Sequence, residues 1–131
     1  MKRTVTTSLI ACCLALSMTV SAEERPFCKG SARVIGACFS VHGRIIVANG
    51  IPYRLWVIGT HRVLAPDAVP QKVENLLEMD RVHPMSVSVF GDYEVCPLEK
   101  ERPGWIRAVC IEGASHLVAT DWQGKIIKRQ R

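Results

Sequence analysis

The sequence lacks the short motifs on which several large enzyme classes depend. It has no Gly-x-Ser-x-Gly turn to present a serine nucleophile, no phosphate-binding P-loop and no Gly-x-Gly-x-x-Gly turn to hold a dinucleotide. It also contains no internal repeat and no low-complexity tract. The nucleotide-binding and acyl-transfer mechanisms that use these motifs therefore have no support in this sequence.

The sequence also lacks an apolar run long enough to cross a membrane. Its apolar stretch from Leu9 to Val20 is shorter than the roughly 20 residues that a transmembrane helix needs. The stretch follows two basic residues and ends in the small-residue sequence Val20-Ser21-Ala22, a pattern typical of a secretory signal peptide. We therefore predict a signal peptide over residues 1–22 and a periplasmic or secreted protein. A second possibility is a lipoprotein anchored at Cys12, because the residues before it resemble a lipobox.

Positive charge is scarce in the body of the predicted mature chain. Removing Lys2 and Arg3 from the 17 basic residues leaves 15, against 12 acidic residues. Four of these 15 lie at the C-terminus: Lys125, Lys128, Arg129 and Arg131. We therefore predict one β-rich domain over residues 23–124 and a basic C-terminal tail over residues 125–131, with the basicity in the tail rather than on a binding face.

Four cysteines remain after the predicted cleavage, at positions 28, 38, 96 and 110. An even number of cysteines in a small exported domain predicts two disulfides, and three pairings are possible. Cys96 and Cys110 flank the turn-forming segment 97–104, which favours a cross-strand Cys96–Cys110 bridge and leaves Cys28–Cys38 by elimination. A thiolate metal site is not expected, since the spacings are not of the paired Cys-x-x-Cys type.

Two β-branched runs flank Asn49-Gly50, the strongest short-range signal for a β-hairpin. A three-residue loop ending at Gly50 would pair Val47 with Ile51 and Ile45 with Tyr53. This register places the apolar residues on one face, which is the face that a core would select. The predicted core residues of the hairpin are Val41, Ile45, Val47, Tyr53, Leu55 and Val57.

The rest of the chain alternates in the manner of a β protein. A short helix is predicted from Pro70 to about Met79, with Val73, Leu76 and Leu77 on its buried face. Strands are predicted over residues 85–96 and 105–111, followed by an interruption at 112–115 and a short strand or turn at 116–120, with fraying over 121–131. The fold class is therefore mainly β with one short helix, as a small curved sheet or an OB-like β-barrel, stapled by disulfides.

The outer face of the predicted hairpin is the candidate binding site. It carries His42, Arg44, Arg54 and Trp56, and Arg62 lies near the end of the second strand. Arginine beside tryptophan on a sheet face suits stacking and anion recognition. On an OB-like barrel such a face binds oligosaccharides or oligonucleotides. Because export argues against nucleic acid, the expected partner is an envelope or extracellular glycan, peptide or protein.

Two other functions stay open at this point. A hydrolase would need two carboxylates facing each other across a cleft, and acidic residues cluster near the second hairpin, at Asp92, Glu94, Glu99, Glu101 and Glu112. A purely structural secreted domain would have no such site. His42, His61, His83 and His116 show no metal-ligand spacing, so no metal and no cofactor is expected. We expect a binding or structural protein rather than an enzyme.

Four stretches of the sequence resemble a group of small secreted or periplasmic bacterial proteins of unknown function, usually described as hypothetical proteins. In this sequence they read Cys38-Phe39-x-Val41-x-Gly43-Arg44, Asn49-Gly50-x-Pro52, Arg54-Leu55-Trp56-x-Ile58-Gly59-Thr60-x-Arg62 and Phe90-Gly91-Asp92-Tyr93-x-Val95-Cys96-Pro97. The resemblance covers about residues 37–113. It implies export and a shared β core, and it implies no activity or catalytic residue.

Overall fold

The computed structural model describes residues 28–49, 52–80, 83 and 85–131. The predicted signal peptide and the alternative anchor at Cys12 lie outside these residues. The described chain forms six strands and one helix. They are β1 Phe39–Val47, β2 Tyr53–Val57, β3 Val63–Pro66, α1 Gln71–Leu77, β4 Ser88–Pro97, β5 Arg107–Thr120 and β6 Ile126–Gln130. No helix in this part of the chain has the length and apolarity that a membrane span requires.

Five of the strands close into a barrel. β1 pairs in antiparallel fashion with β2 and β4, β2 pairs with β3, and β4 pairs with β5. β3 and β5 run parallel and complete the ring, while β6 adds an extra strand beside β5. A closed five-stranded barrel with a helix between its third and fourth strands is the OB-like architecture that the sequence predicted as one of two alternatives.

The barrel interior is filled by alternate residues of the strands and covered by the helix. Ile45, Leu55 and Tyr93 are fully buried there. α1 begins directly after Pro70, whose fixed φ suits the start of a helix, and it buries Val73, Leu76 and Leu77 as predicted. The remaining predicted hairpin core residues, Val41, Val47, Tyr53 and Val57, are half-buried against the same cluster.

The hairpin has the predicted faces but a different register. Val47 pairs with Tyr53 and Ile45 with Leu55, two residues away from the predicted partners. The predicted turn residue Gly50 and its neighbour Ile51 lie outside the described residues; on either side of them, Ala48 N–H donates to the Pro52 carbonyl at 3.3 Å. Pro52 has no N–H to donate to a ladder, so regular pairing begins after it. A shift of two residues keeps every side chain on the same face of the strand. The predicted apolar face is therefore confirmed, whereas the predicted residue pairs are wrong.

The predicted disulfide pairing is wrong. The bridges are Cys28–Cys110 and Cys38–Cys96, not Cys28–Cys38 and Cys96–Cys110. Cys38 immediately precedes β1, and the pairing of Phe39 with Val95 brings it beside Cys96, with 4.1 Å between their Cα atoms. The segment before β1 brings Cys28 to Cys110 at a Cα separation of 5.9 Å. Both bridges therefore join segments that are distant in sequence but adjacent in the barrel.

The C-terminal half differs most from the sequence prediction. β5 continues from Arg107 to Thr120 without the expected interruption, and β3, Val63–Pro66, is a strand that was not predicted. β6 lies in the segment predicted to fray and to form a basic tail. Register shifts between β4 and β5 accommodate this long strand, as β-bulges do in curved sheets. The Asp121 carboxylate accepts hydrogen bonds from the N–H groups of Gln123 and Lys125, which holds the turn that leads into β6.

Candidate functional site

Two arginines and a tryptophan share the outer face of the β1–β2 hairpin. Arg44 lies directly opposite Trp56, and Ile46 lies opposite Arg54. The Arg44 guanidinium carbon is 5.7 Å from the centre of the Trp56 ring, a cation–π contact. Trp56 is 44% exposed, and its indole N–H donates to the Thr60 carbonyl at 3.1 Å. The turn between β2 and β3 therefore holds the exposed ring in one orientation.

A shallow hollow of about 110 Å³ lies among these side chains. We call it the hairpin hollow; its lining consists of Arg44, Ile46, Arg54, Trp56, Val63 and Ile106. Val63 belongs to β3, and Ile106 belongs to the loop between β4 and β5. OB-type barrels bind their ligands on the faces of the second and third strands and on the loop between the fourth and fifth. The hairpin hollow shares β2, β3 and the loop between β4 and β5 with that region, and it extends onto β1 through Arg44 and Ile46.

The wall of the hairpin hollow contains a buried donor without a partner. Arg54 Nε is inaccessible to solvent and has no hydrogen-bond partner among the described residues. Within the same part of the chain, neither Arg44 nor Arg54 forms an ion pair with a carboxylate. A buried polar group left unpaired is unfavourable by about 1–3 kcal/mol, and more for a charged group. Because this atom is enclosed, an anionic group in the hollow would pair with it only after the Arg54 side chain or its neighbours move.

His42 lies outside the hairpin hollow and belongs to a different cluster. Its Nδ1 is 2.8 Å from Asp92 Oδ1, while His116 Nδ1 is 2.9 Å from Asp92 Oδ2. The hydrogen bond with His42, and to a smaller extent the one with His116, lowers the pKa of Asp92 below its ordinary value. The Ser115 hydroxyl oxygen is 3.4 Å from the same His116 nitrogen. Because Asp92 and Ser115 share one ring nitrogen, the three residues do not form the relay of a serine hydrolase.

The backbone of His116 explains how this cluster forms. His116 has φ 51°, the one positive φ among the described residues other than glycine. It lies at a register shift between β4 and β5, where Ser115 still pairs with Asp92. A left-handed backbone is uncommon for a residue with a side chain. No spacing in the sequence indicated this conformation, so the contact of His116 with Asp92 was not predicted.

Arg62 is also separated from the hairpin hollow. Its guanidinium carbon is 5.4 Å from the centre of the Phe39 ring, and its Nη2 atom is 2.9 Å from Glu101. Arg107 lies over the same ring at 5.9 Å. The structure thus brings together three of the five predicted binding residues, Arg44, Arg54 and Trp56. It adds Ile46, Val63 and Ile106. Antiparallel pairing of β2 with β3 places Val63 opposite Trp56, and the β3–β5 pairing that closes the barrel brings Ile106 beside them.

The acidic residues of the predicted hydrolase alternative all have structural partners. Three of them contact basic side chains: Asp92 is hydrogen-bonded to two histidines, Glu94 forms an ion pair with Lys29 at 2.6 Å, and Glu101 forms one with Arg62. The other two accept backbone hydrogen bonds: Glu99 from the Ala108 N–H at 2.8 Å, and Glu112 from the N–H groups of Cys28 and Lys29. Asp92 and Glu94 line one shallow hollow of about 230 Å³. A glycosidase general acid needs a raised pKa, whereas that of Asp92 is lowered. The geometry does not favour hydrolysis at this position.

One group of possible metal ligands occurs within the described residues, formed by Cys28, Cys96 and Glu112. Both sulfurs belong to disulfides. The Glu112 carboxylate accepts two backbone hydrogen bonds, at 2.6 and 2.8 Å. These atoms are therefore engaged in holding the segment before β1 against the barrel.

Comparison with known proteins does not assign a function. The chain matched no protein-family model, no curated protein and no solved structure. A function for this protein therefore has to be inferred from the side chains of the hairpin hollow.

Proposed function

We propose that this protein is an exported binding domain whose hairpin hollow recognises an anionic group attached to a sugar or aromatic ring. The observation that supports this most is the pair of arginines, Arg44 and Arg54, that have no carboxylate partner among the described residues and lie beside the exposed Trp56 ring. The planar guanidinium of arginine matches the geometry of carboxylate and phosphate groups. The face of an indole accepts a ring by stacking. The ligand belongs to an envelope or extracellular glycan, peptide or protein.

The two disulfides support the location that this function needs. Disulfides persist in secreted and periplasmic proteins and are rare in the cytosol. The N-terminal pattern of two basic residues, an apolar stretch and a small-residue cleavage site is that of a signal peptide. In such a compartment, glycans and proteins are the available anionic partners, and nucleic acid is not expected.

The side chains of the hairpin hollow are already arranged for a ligand. Trp56 is held by its hydrogen bond to Thr60, and Arg44 lies against the Trp56 ring. Little side-chain freedom is therefore lost on binding, which favours affinity. A hydrogen bond between Arg54 and an anionic group contributes about 1.5–3 kcal/mol, or roughly 10- to 100-fold in Kd.

A pair of matched probes tests this proposal. p-Nitrophenyl glucuronide carries a carboxylate on a sugar ring, and p-nitrophenyl glucoside is its neutral counterpart. Equilibrium dialysis followed by absorbance gives both dissociation constants. We expect the glucuronide to bind more tightly. Arg54→Gln should weaken the glucuronide about 10- to 100-fold and leave the glucoside unchanged, whereas Trp56→Ala should weaken both probes.

Two control variants separate the hairpin hollow from general surface effects. Arg102→Gln removes an arginine from another arginine–tryptophan contact, in which the guanidinium carbon is 5.2 Å from the Trp105 ring. Trp122→Ala removes a tryptophan that is 76% exposed. Both should leave the two dissociation constants unchanged. Equal binding of the two probes, or glucuronide binding that does not respond to Arg54→Gln, would overturn the proposal and leave a purely structural role.

A further inference from the structure

We infer that the C-terminal end of the chain binds the surface of a membrane that contains anionic phospholipids. The region concerned, which we call the C-terminal arm, is the continuous segment 121–131: the turn after β5, then β6 and Arg131. The contact is peripheral, with the side chains of the arm at the level of the lipid headgroups. This role is independent of the hairpin hollow and of the ligand proposed for it.

The C-terminal arm lies outside the packed interior of the barrel. All five residues of β6 are exposed, although alternate side chains of a strand point to opposite faces. Their partners on β5 are more enclosed, and Leu117 and Ala119 belong to the core. Within the described residues, no second strand lies beside β6. The side chains of β6 therefore contribute little to the packing of the barrel and can contact another surface.

The first part of the C-terminal arm exposes several large apolar side chains. Trp122 is 76% exposed, and Ile126 and Ile127 are 45% and 41% exposed. Single exposed apolar residues are common on protein surfaces, whereas a group of them is typical of a site that a partner covers. These three residues lie within a short segment formed by the turn and the start of β6. We call them the apolar tip of the arm.

The C-terminal arm also carries a net positive charge. Its four basic residues are all exposed: Lys125, Lys128, Arg129 and Arg131. None of them forms an ion pair with a carboxylate of the described chain. Asp121 is the one acidic residue of the arm, and its carboxylate remains negative while it accepts two backbone hydrogen bonds. Four positive charges and one negative charge give the arm a net charge of +3.

The apolar tip and most of the positive charge follow one another along the chain. Lys128 and Arg129 come directly after Ile127. At about 3.4 Å per residue, Arg129 lies within roughly 7 Å of Ile127 along the strand. An anionic membrane attracts cations over a Debye length of about 8 Å. An arm that approaches tip first therefore places its apolar side chains among the headgroups with the cations within reach of the lipid charge. Asp121 can stay in contact with water there, because the headgroup layer is hydrated.

The combination of apolar tip and positive charge favours a lipid surface over an acidic protein or nucleic acid. Either of those partners would attract the cations, but their charged groups alone leave the apolar tip uncovered. Tryptophan is enriched at membrane interfaces, because its ring is apolar and its N–H is polar. Peripheral membrane binding combines burial of apolar side chains with attraction of basic residues to anionic lipids. The two disulfides indicate an exported protein, for which the envelope offers such surfaces.

Vesicle sedimentation with the oxidised protein tests this role. Vesicles of phosphatidylglycerol and phosphatidylcholine provide an anionic surface, and vesicles of phosphatidylcholine alone are the neutral counterpart. We expect tighter binding to the anionic vesicles, with an affinity that falls as salt is added. The double variant Lys128→Glu/Arg129→Glu should weaken this binding at least about 25-fold, since each basic residue near an anionic membrane contributes about fivefold. Trp122→Ala should weaken it about tenfold through loss of apolar burial.

The matched controls lie at the opposite end of β5. Lys100→Glu/Arg102→Glu makes the same change in net charge in the loop before β5, and Trp105→Ala removes a tryptophan that is 71% exposed there. Both controls should bind the anionic vesicles as the wild type does. Equal weakening by the two charge variants would show that net charge rather than the C-terminal arm drives binding, and would overturn the inference. So would a wild type that binds neither kind of vesicle.

Soluble polyglutamate separates a membrane from an acidic protein partner. We expect Trp122→Ala to weaken binding to anionic vesicles and to leave binding to polyglutamate unchanged. If polyglutamate binds as tightly as the vesicles and Trp122→Ala weakens neither, the arm binds acidic polymers and the assignment to lipid is wrong. An unchanged Tm shows that each variant remains folded. Because these assays contain no sugar, their failure would leave the glucuronide test of the hairpin hollow unaffected.

Discussion

Replacing Gly43 by alanine is the sharpest test of the barrel packing. Gly43 and Gly91 lie opposite each other where β1 pairs with β4. A Cβ atom on Gly43 would overlap the Leu55 Cδ1 atom and lie 2.9 Å from the Trp56 carbonyl oxygen. Leu55 is fully buried and cannot turn towards solvent. The carbonyl oxygen belongs to the backbone, so relief of the contact requires β2 to move.

The size of the destabilisation caused by Gly43→Ala follows from these two contacts. Overpacking a well-packed core destabilises by about 1–3 kcal/mol. Alanine also restricts the unfolded chain, which returns about 0.4–1 kcal/mol. We therefore expect Gly43→Ala to lower the free energy of unfolding by about 1–2 kcal/mol. For a domain of this size, that loss lowers Tm by roughly 4–10 °C.

Thermal and urea melts of the oxidised protein measure this difference. Gly113→Ala is the matched control, because Gly113 also lies in a strand and a Cβ there meets no atom within 4 Å. It should leave the stability unchanged or raise it by up to about 1 kcal/mol. Wild-type stability in Gly43→Ala, or an equal loss in both variants, would show that β1 does not pack against β2 as described.

Two further predictions concern the disulfides and the core. Peptide mapping without reduction should recover Cys28 linked to Cys110, and a recovered Cys28–Cys38 peptide would contradict the structure. Replacing both cysteines by alanine should destabilise by about 3–4 kcal/mol, because the intact Cys38–Cys96 bridge shortens the loop that Cys28–Cys110 closes to about 25 residues. Tyr93 donates to the Val89 carbonyl at 2.8 Å, and burial raises its pKa. The stability that depends on the protonated Tyr93 hydroxyl is therefore fully present below about pH 10, the pKa of the unfolded chain. It is lost progressively as the pH rises from there towards the raised pKa of the folded protein. Urea melts at about pH 7 and pH 11 measure the free energy of unfolding of the wild type and of Tyr93→Phe. We expect the wild type to lose more stability than the variant between about pH 7 and pH 11, and an equal loss in both would refute this.

The sequence was sufficient for features that depend on neighbouring residues. The helical spacing of Val73, Leu76 and Leu77 predicted both α1 and its buried face, because one turn of helix brings such residues together. The alternation around Ile45 and Leu55 predicted the apolar face of the hairpin, since the side-chain period of a strand is two. The even number of cysteines predicted two disulfides from redox chemistry alone.

Only the tertiary structure decided which distant residues meet. Cys38 bonds to Cys96 because β1 pairs with β4, and neither spacing nor symmetry about a turn contains that information. The parallel pairing of β3 with β5 brings Ile106 into the hairpin hollow, whereas Arg62 lies over Phe39 and pairs with Glu101. β6 forms by pairing with the C-terminal part of β5, which places Arg129 opposite Val118 instead of in a frayed tail. Local chemistry determines which face of each strand is apolar, whereas the closure of the barrel determines which side chains share a surface.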